Sequence, residues 1–300
     1  MIFVGSLFGL PTYFFCEVPM LSQPSILVID DFTDYSLNAL IFADDLRIKT
    51  KGLMTVATPI YTFVEDPIHD SDIEKKIKER LEKEHIIAKC EIIEGDFFKN
   101  LNNLIKTLEV DLLILGESMI HPFLGIKDFN ANKIINKIDI PVLIIRKSGP
   151  VERVDVLVDP RYSMEKLINL GEEFSSLLSI DLGIVSIWKE SELSEKFGSR
   201  MGYPYVSTDL SVDQRTAFLD KLKTIIKHRT TEFAQADVHV ALPIYLKDVS
   251  EQLISIVSED RANMIILQKH DHRTFENIFS RSPISQLIKK FEGNILVCPS

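Results

Sequence analysis

The chain has 300 residues, and 34 lysines and arginines stand against 44 aspartates and glutamates, which gives a net charge of −10. This length accommodates two domains of ordinary size, and the acidic balance disfavours general binding to nucleic acids. Only 12 glycines are present and neither GxGxxG nor GxxxxGK[ST] occurs, so an intact Rossmann dinucleotide site or P-loop is excluded.

Residues 1–23 form an apolar N-terminal extension with no charge before Glu17. A signal peptide needs a positive n-region, and a membrane span needs about 20 apolar residues, whereas Pro11 interrupts this run. We expect either a start codon assigned upstream of the true one, which would be at Met20, or a disordered tail. A membrane anchor is the remaining alternative, and without it no membrane association is expected.

After this extension, short apolar runs alternate with helical patterns. Ile26–Asp31 predicts a first strand, and apolar residues at helical spacing follow it. Ser71–Glu74 is a capping box that begins another helix. The remaining predicted elements of this half are the strands Ala88–Glu94, Asp111–Gly116 and Pro141–Arg146 and the helices Asn100–Leu108 and Asn130–Lys137.

The second half repeats this order after Gly149-Pro150, which marks the junction. Its predicted elements are the strands Val154–Asp159, Val238–Leu242, Asn263–Gln268 and Asn294–Cys298 and the helices Val249–Val257 and Pro283–Phe291. The polar segment Lys189–Leu210 is expected to be a mobile flap or an exposed loop. Strands that alternate with helices predict parallel sheets covered on both faces.

The spacing of the last two strands supports the repeat. Gly116 and Pro141 are 25 positions apart, and Gln268 and Asn294 are 26 positions apart. Ala88–Glu94 and Val238–Leu242 are predicted to be the third strands of their halves, so each half is predicted to contain about five strands.

In these motifs the chain resembles the universal stress protein family in its tandem form. The motifs are Asp31-Phe32-Thr33, Gly95 after the third strand, Asp111–Gly116 and Pro141–Ile145. The resemblance implies domains at 24–148 and 152–300, each a doubly wound, Rossmann-like α/β fold of the adenine nucleotide alpha hydrolase type. It also implies that the domains pair within the chain as a pseudo-dimer, commonly through their last strands. Whether two chains associate further, as a homodimer, is left open.

ATP-binding members of this family carry G-x2-G-x9-G-[S/T] after the fourth strand, and this chain departs from it in both halves. In the first half, Met119 stands at the second glycine, and Asp128 stands at the third if one residue is deleted from the loop. In the second half, Gln268, Asp271 and Arg281 replace the glycines, and only the hydroxyl residue remains. The departures imply that no cofactor is bound, with ATP or AMP binding as an alternative.

The candidate residues of a nucleotide cleft share a position at or after the carboxyl ends of first and fourth strands. They are Asp31, Thr33, Gly116, Ser118, Asp159, Arg161, Arg281 and Ser282. In nucleotide-binding members, the aspartate that matches Asp31 and Asp159 contacts the adenosine. The preferred interpretation of Asp31 is that its side chain caps the following helix. The pair Asp30-Asp31 is assigned to helix-start and surface roles, and Glu117 places negative charge where phosphate would sit; no metal site is expected.

These features favour a non-enzymatic, stress-response or regulatory binding module with no catalytic residues, although weak ATP hydrolysis stays open. Three isolated cysteines suit the reducing cytoplasm, and the two after Cys16 are expected to be buried. The first alternative is a divergent ATP- or AMP-binding module with its site in the second domain. The second is a carrier of a small molecule or lipid beneath the Lys189–Leu210 flap. The sequence names no protein partner.

Overall fold

The computed structural model describes residues 21–60, 70–117, 131–158, 165–187, 220, 237–241, 249–259, 261–269 and 283–299. Their strands are β1 (Ser25–Ile29), β2 (Leu53–Ile60), β3 (Lys89–Glu94), β4 (Leu112–Gly116), β5 (Val142–Ile145), β6 (Arg153–Val158), β7 (Asp181–Ile187), β8 (Asp237–Ala241), β9 (Met264–Gln268) and β10 (Asn294–Cys298). Their helices are α1 (Asp34–Thr50), α2 (Asp70–Lys83), α3 (Phe97–Thr107), α4 (Ala131–Lys137), α5 (Glu165–Leu178), α6 (Val249–Glu259) and α7 (Pro283–Lys290).

The ten strands of this described part form one sheet in the order β3-β2-β1-β4-β5-β10-β9-β6-β7-β8. Strands are parallel within each run of five, and β5 pairs antiparallel with β10, where Leu143 lies opposite Leu296. Counted outwards from this central pair, one run has the order β5-β4-β1-β2-β3 and the other has the order β10-β9-β6-β7-β8. Strands with the same place in each half therefore have the same place in each run. The predicted α/β class, with about five parallel strands in each half, is confirmed.

The central strands are continuous apolar runs because both faces of the sheet are covered. Leu112–Leu115 of β4 and Val142–Ile145 of β5 are buried along their whole length. At the edge, only Ile93 of β3 is buried, since this strand has one neighbour instead of two.

Two helical layers enclose the sheet. On one face, α1, α2 and α5 contribute side chains such as Leu40, Ile77 and Phe174 to one apolar core. On the other face, α3, α4, α6 and α7 build a second core that includes Leu101 and Ile134. Each core contains residues from both halves of the chain, so helices with the same place in each half cover the same face.

Most predicted boundaries move by one to three residues, and α2 begins at Asp70, one residue before Ser71 of the predicted capping box. α3 begins at Phe97 instead of Asn100, because the Asp96 carboxylate accepts a hydrogen bond from the Lys99 amide and caps the helix earlier. β3 begins at Lys89, one residue after the predicted start. Gly95 follows β3 with φ of +71°, a left-handed conformation that favours glycine.

Leu21, at the end of the N-terminal extension, is buried, and its amide donates to Glu173 Oε2 of α5 at 3.0 Å. Within the described ranges, no helix is long and apolar enough to cross a membrane. Residues 1–20 and the predicted flap at 189–210 lie outside those ranges.

Candidate functional site

The predicted cleft lies where β1 and β4 end, beside the first turn of α1. Asp31, Thr33 and Gly116 are the three candidates within the described residues. The five candidates outside them are Ser118, Asp159, Arg161, Arg281 and Ser282.

The aspartate at the centre of this region is Asp30, not Asp31. Asp30 has no exposed surface, and its Oδ1 accepts hydrogen bonds from the Ser36 hydroxyl at 2.6 Å and the Phe32 amide at 3.0 Å. Its Oδ2 lies 3.5 Å from Arg80 Nε. Burial raises the pKa of the Asp30 carboxyl above its usual range, although the Ser36 hydrogen bond and the Arg80 charge lower it. The surface role predicted for this residue is wrong.

Asp31 does not cap α1 directly. Thr33 is the N-cap, since its Oγ1 accepts a hydrogen bond from the Ser36 amide at 3.2 Å. The Asp31 carboxylate accepts from the Thr33 amide at 3.1 Å and from the Thr33 hydroxyl at 2.6 Å, and it thereby orients the cap. The capping role predicted for Asp31 is therefore wrong, and Thr33 takes it.

Arg80, in the last turn of α2, contacts the turn between β1 and α1. Its guanidinium donates to the Thr33 carbonyl and lies 5.9 Å from the centroid of the Phe32 ring. Phe32 has φ of +61°, so a bulky side chain occupies a left-handed turn. Sequence reasoning missed Arg80 because this residue lies on a different element, and no local motif links it to β1.

Gly116 is required by packing at the end of β4. A Cβ at this position would lie 2.0 Å from the Tyr35 carbonyl oxygen and 2.6 Å from the Ser36 amide. Both neighbours are backbone atoms of the first turn of α1, which cannot rotate away. The glycine therefore allows β4 and α1 to approach each other.

Glu117, the next residue, points back into the protein. Its Oε1 accepts a hydrogen bond from the Ala131 amide, the first residue of α4, at 2.7 Å. Its Oε2 lies 2.7 Å from Arg146 Nη2, and both side chains are less than a tenth exposed. The carboxylate thus places negative charge at the beginning of α4, which the helix dipole favours.

Arg146 extends this contact to the other half of the chain. Its Nη1 donates to the Ile288 carbonyl at 2.6 Å and to the Phe291 carbonyl at 2.7 Å, at the end of α7. One guanidinium therefore joins the beginning of α4 to the end of α7. No spacing of residues along the chain indicates this role, since Arg146 only ends an apolar run.

A reciprocal contact comes from the second half. Lys269 follows β9 as Glu117 follows β4, and its Nζ donates to the Ile135 carbonyl at 2.9 Å, at the end of α4. Each half thus supplies one cation to the carboxyl end of a helix in the other half, where positive charge is favourable. Gln268, which stands at a glycine position of the family motif, donates to the Pro299 carbonyl at 3.3 Å.

The polar groups described above contact one another and backbone atoms of the protein. Ser36 is completely buried, so its hydrogen bond to Asp30 cannot serve an attack on a substrate from solvent. Within the described ranges, no group of three His, Cys, Asp or Glu residues is arranged to hold a metal ion.

Two grooves accompany this region. One, of about 310 Å³, lies between α1, residues 147–151 and Leu178. The other, of about 440 Å³, lies between α2 and the beginning of β3. Neither groove is lined by the three described candidate residues.

No protein-family model and no curated protein matches the chain. The solved structure of a putative universal stress protein from Pseudomonas aeruginosa UCBPP-PA14 is similar, with a TM-score of 0.64, 14% identity, and coverage of 93% of this chain and 94% of that chain. A universal stress protein from Archaeoglobus fulgidus DSM 4304 has a TM-score of 0.62 at 14% identity, covering 92% and 98%. A functionally unknown protein from Pseudomonas aeruginosa PAO1 has a TM-score of 0.63 at 14% identity, covering 93% and 94%. The chain shares the fold of these proteins over nearly its full length.

Proposed function

We propose that this chain is a tandem universal stress protein, a cytoplasmic and non-enzymatic binding module of the stress response that lacks the usual ATP site of that family. The fold shared with two structures described as universal stress proteins, one of them putative, supports the assignment to the family. The two five-stranded runs that meet at β5 and β10 support the tandem arrangement.

One contact carries the claim about ATP for the first half: the Glu117 carboxylate accepts a hydrogen bond from the Ala131 amide. For the second half, the claim depends on the replaced glycines of the motif. Helix N-termini bind phosphate through free amides and the positive end of the helix dipole. In the first half of this chain, an internal carboxylate already holds the first described amide of α4. A phosphate placed there would meet the charge of Glu117 and would have to displace it.

Displacing Glu117 is costly because its partner is buried as well. Removing one member of a buried ion pair costs about 3–5 kcal/mol, since the other charge stays in a medium of low polarity. Micromolar binding supplies about 8 kcal/mol in total, so this penalty would consume a large share of it. The Arg146 guanidinium would lose its carboxylate while it stayed bound to the Ile288 and Phe291 carbonyls.

The retained glycine does not argue for a nucleotide. Gly116 is needed for the approach of β4 to the first turn of α1, whether or not a ligand binds. The same holds for Asp31, whose carboxylate orients the cap of α1.

The direct test is extraction of ligand from the purified full chain by denaturation, followed by mass spectrometry. We expect no adenine nucleotide near one equivalent per chain, with recovery checked by adding ATP to a matched sample before denaturation. A nucleotide at near-stoichiometric amount would overturn the claim and favour the divergent nucleotide-binding module. A stoichiometric lipid or other small molecule would favour the carrier.

A further inference from the structure

The edge strand β3 has an unusual distribution of side chains. β3 pairs with β2 on one side, and no strand of the described part pairs with its other side. Cys90 and Ile92 face the α2 layer and are partly buried, whereas Lys89 and Glu91 face the opposite side and are exposed. Ile93 follows on the face of Lys89 and Glu91 and is buried in the other core, and the exposed Glu94 follows on the face of Cys90 and Ile92. The part from Lys89 to Ile92 therefore has charges on one face and apolar groups on the other, which makes it suitable for pairing with a strand of matching pattern.

Exposed apolar groups lie at the beginning of β2 and just before β3. Ile87 is 76% exposed and Leu53 is 70% exposed, the two highest values among the large apolar side chains of the described residues. Thr55 of β2 lies opposite Lys89 of β3, and Leu53 and Ile87 precede these two residues by two positions each. Ile87 also lines the groove of about 440 Å³ between α2 and β3, together with Leu81 and Cys90. Apolar surface of this kind marks an interaction site more often than an isolated exposed residue does.

We propose that β3 is the docking surface for a second copy of this chain, which adds its own β3 antiparallel across a twofold axis at Cys90. The two sheets then continue into one another through the edges that lie farthest from β5 and β10.

Geometry restricts the register of such a pair. Two antiparallel strands related by a twofold axis place each residue opposite one on the same face of the sheet, so the axis passes through a residue position. Within β3, the central choices are Cys90, Glu91 and Ile92. An axis at Glu91 would place two glutamates opposite each other, and an axis at Ile92 would place Cys90 opposite Glu94.

An axis at Cys90 places compatible side chains opposite each other on both faces of the sheet. Lys89 of each copy then lies opposite Glu91 of the other, which forms two cross-strand pairs of opposite charge. On the α2 face, Ala88 lies opposite Ile92 of the other copy, so a small side chain beside the groove receives a large one. The two Cys90 side chains face each other at the axis.

The first experiment measures the mass of the full chain by sedimentation equilibrium over a wide range of concentration. We expect a reversible dimer with twice the 34.2 kDa of one chain. A monomer at every concentration would overturn the proposal and would assign Lys89 and Glu91 to protection of the edge.

The second experiment tests the register by charge reversal. Lys89→Glu and Glu91→Lys should each weaken the dimer about tenfold, because each creates two pairs of like charge. Mixing the two variants, or combining them in one chain, should restore it, since opposite charges then face each other again. Lys289→Glu on α7 is a control with the same change of charge and should have no effect. If neither charge reversal changed the dissociation constant of the dimer, this interface would be contradicted.

The third experiment uses the thiols at the axis. In a Cys16→Ser background, mild oxidation should yield a Cys90–Cys90 disulfide between two chains, and Cys90→Ser should abolish it. Cys298 serves as an internal control because it lies on β10 at the centre of the sheet, away from the proposed axis; burial raises the pKa of both thiols, that of Cys298 to about 12. Peptide mapping identifies the link, and a dimer without this link would exclude the axis at Cys90.

Discussion

In the first half, two buried carboxylates with different partners, Asp30 and Glu117, follow the carboxyl ends of β1 and β4. Asp30 is bound by a hydroxyl and an amide and lies beside Arg80 at 3.5 Å, a distance too long for a strong hydrogen bond. Glu117 is bound by an amide and by Arg146, both at 2.7 Å. The two acids should therefore respond in different ways when their charge is removed.

Glu117→Gln should lower the free energy of unfolding by about 3 kcal/mol, because the Arg146 guanidinium stays buried without its carboxylate. Urea unfolding measures this change. Glu292→Gln is the matched control, since it breaks an ion pair with Lys147 that is more than half exposed on both sides, and it should have no measurable effect. Equal stability of the Glu117 variant and the original chain would contradict the importance of the buried pair.

Asp30→Asn tests the opposite case. Because the folded chain raises the pKa of Asp30 above the unfolded value of 3.8, its stabilising contribution is complete below that value and is lost as pH rises through the folded pKa. From about pH 7 to about pH 4, the original chain should therefore gain stability relative to the Asn variant. Urea unfolding of both proteins across this range checks the sign, and a relative loss on acidification would show that the Arg80 ion pair outweighs burial.

At the scale of elements, the turn from β1 to α1 and the end of β4 form one packed unit. Thr33 caps α1, Asp31 orients Thr33, and Gly116 of β4 contacts the backbone of the same turn. Residues that resemble a nucleotide motif in sequence thus have a packing role that needs no ligand.

Gly116→Ala should lower the free energy of unfolding by about 2 kcal/mol, since the added methyl group would overlap the Tyr35 carbonyl. Thermal or urea unfolding without any added nucleotide provides the measurement. If the alanine variant were as stable as the original chain, the packing role of Gly116 would be contradicted.

The elements themselves could be predicted from the sequence because their signals are local. Apolar runs identified β1, β4 and β5, and Gly95 marked the end of β3. The site could not be predicted to the same extent, since Asp30 and Arg80 meet only after α2 packs on the sheet.

At the scale of the whole molecule, each half places a cationic side chain at the end of a helix of the other half, near the junction of β5 and β10. Arg146 binds the carbonyls at the end of α7, and Lys269 binds those at the end of α4. The repeat in the sequence predicts two halves of the same order, but these contacts join residues more than 130 positions apart and leave no local pattern.

Lys269→Met should therefore act across the junction. Loss of the ammonium group leaves the Ile135 and Asn136 carbonyls without this donor, so amide exchange should increase in the last turn of α4, in the other half of the chain. Hydrogen–deuterium exchange with peptide resolution measures it. An increase in amide exchange that is confined to β9 and α7 would contradict the role of Lys269 at the end of α4.

The central claim is that the chain keeps the fold of these proteins without the usual ATP site, and calorimetric titration of the purified full chain with ATP and Mg²⁺ tests it most directly. We predict no saturable binding, with a dissociation constant weaker than about 1 mM, which corresponds to less than about 4 kcal/mol. Micromolar binding that is lost in Asp31→Ala or Asp159→Ala would contradict the account.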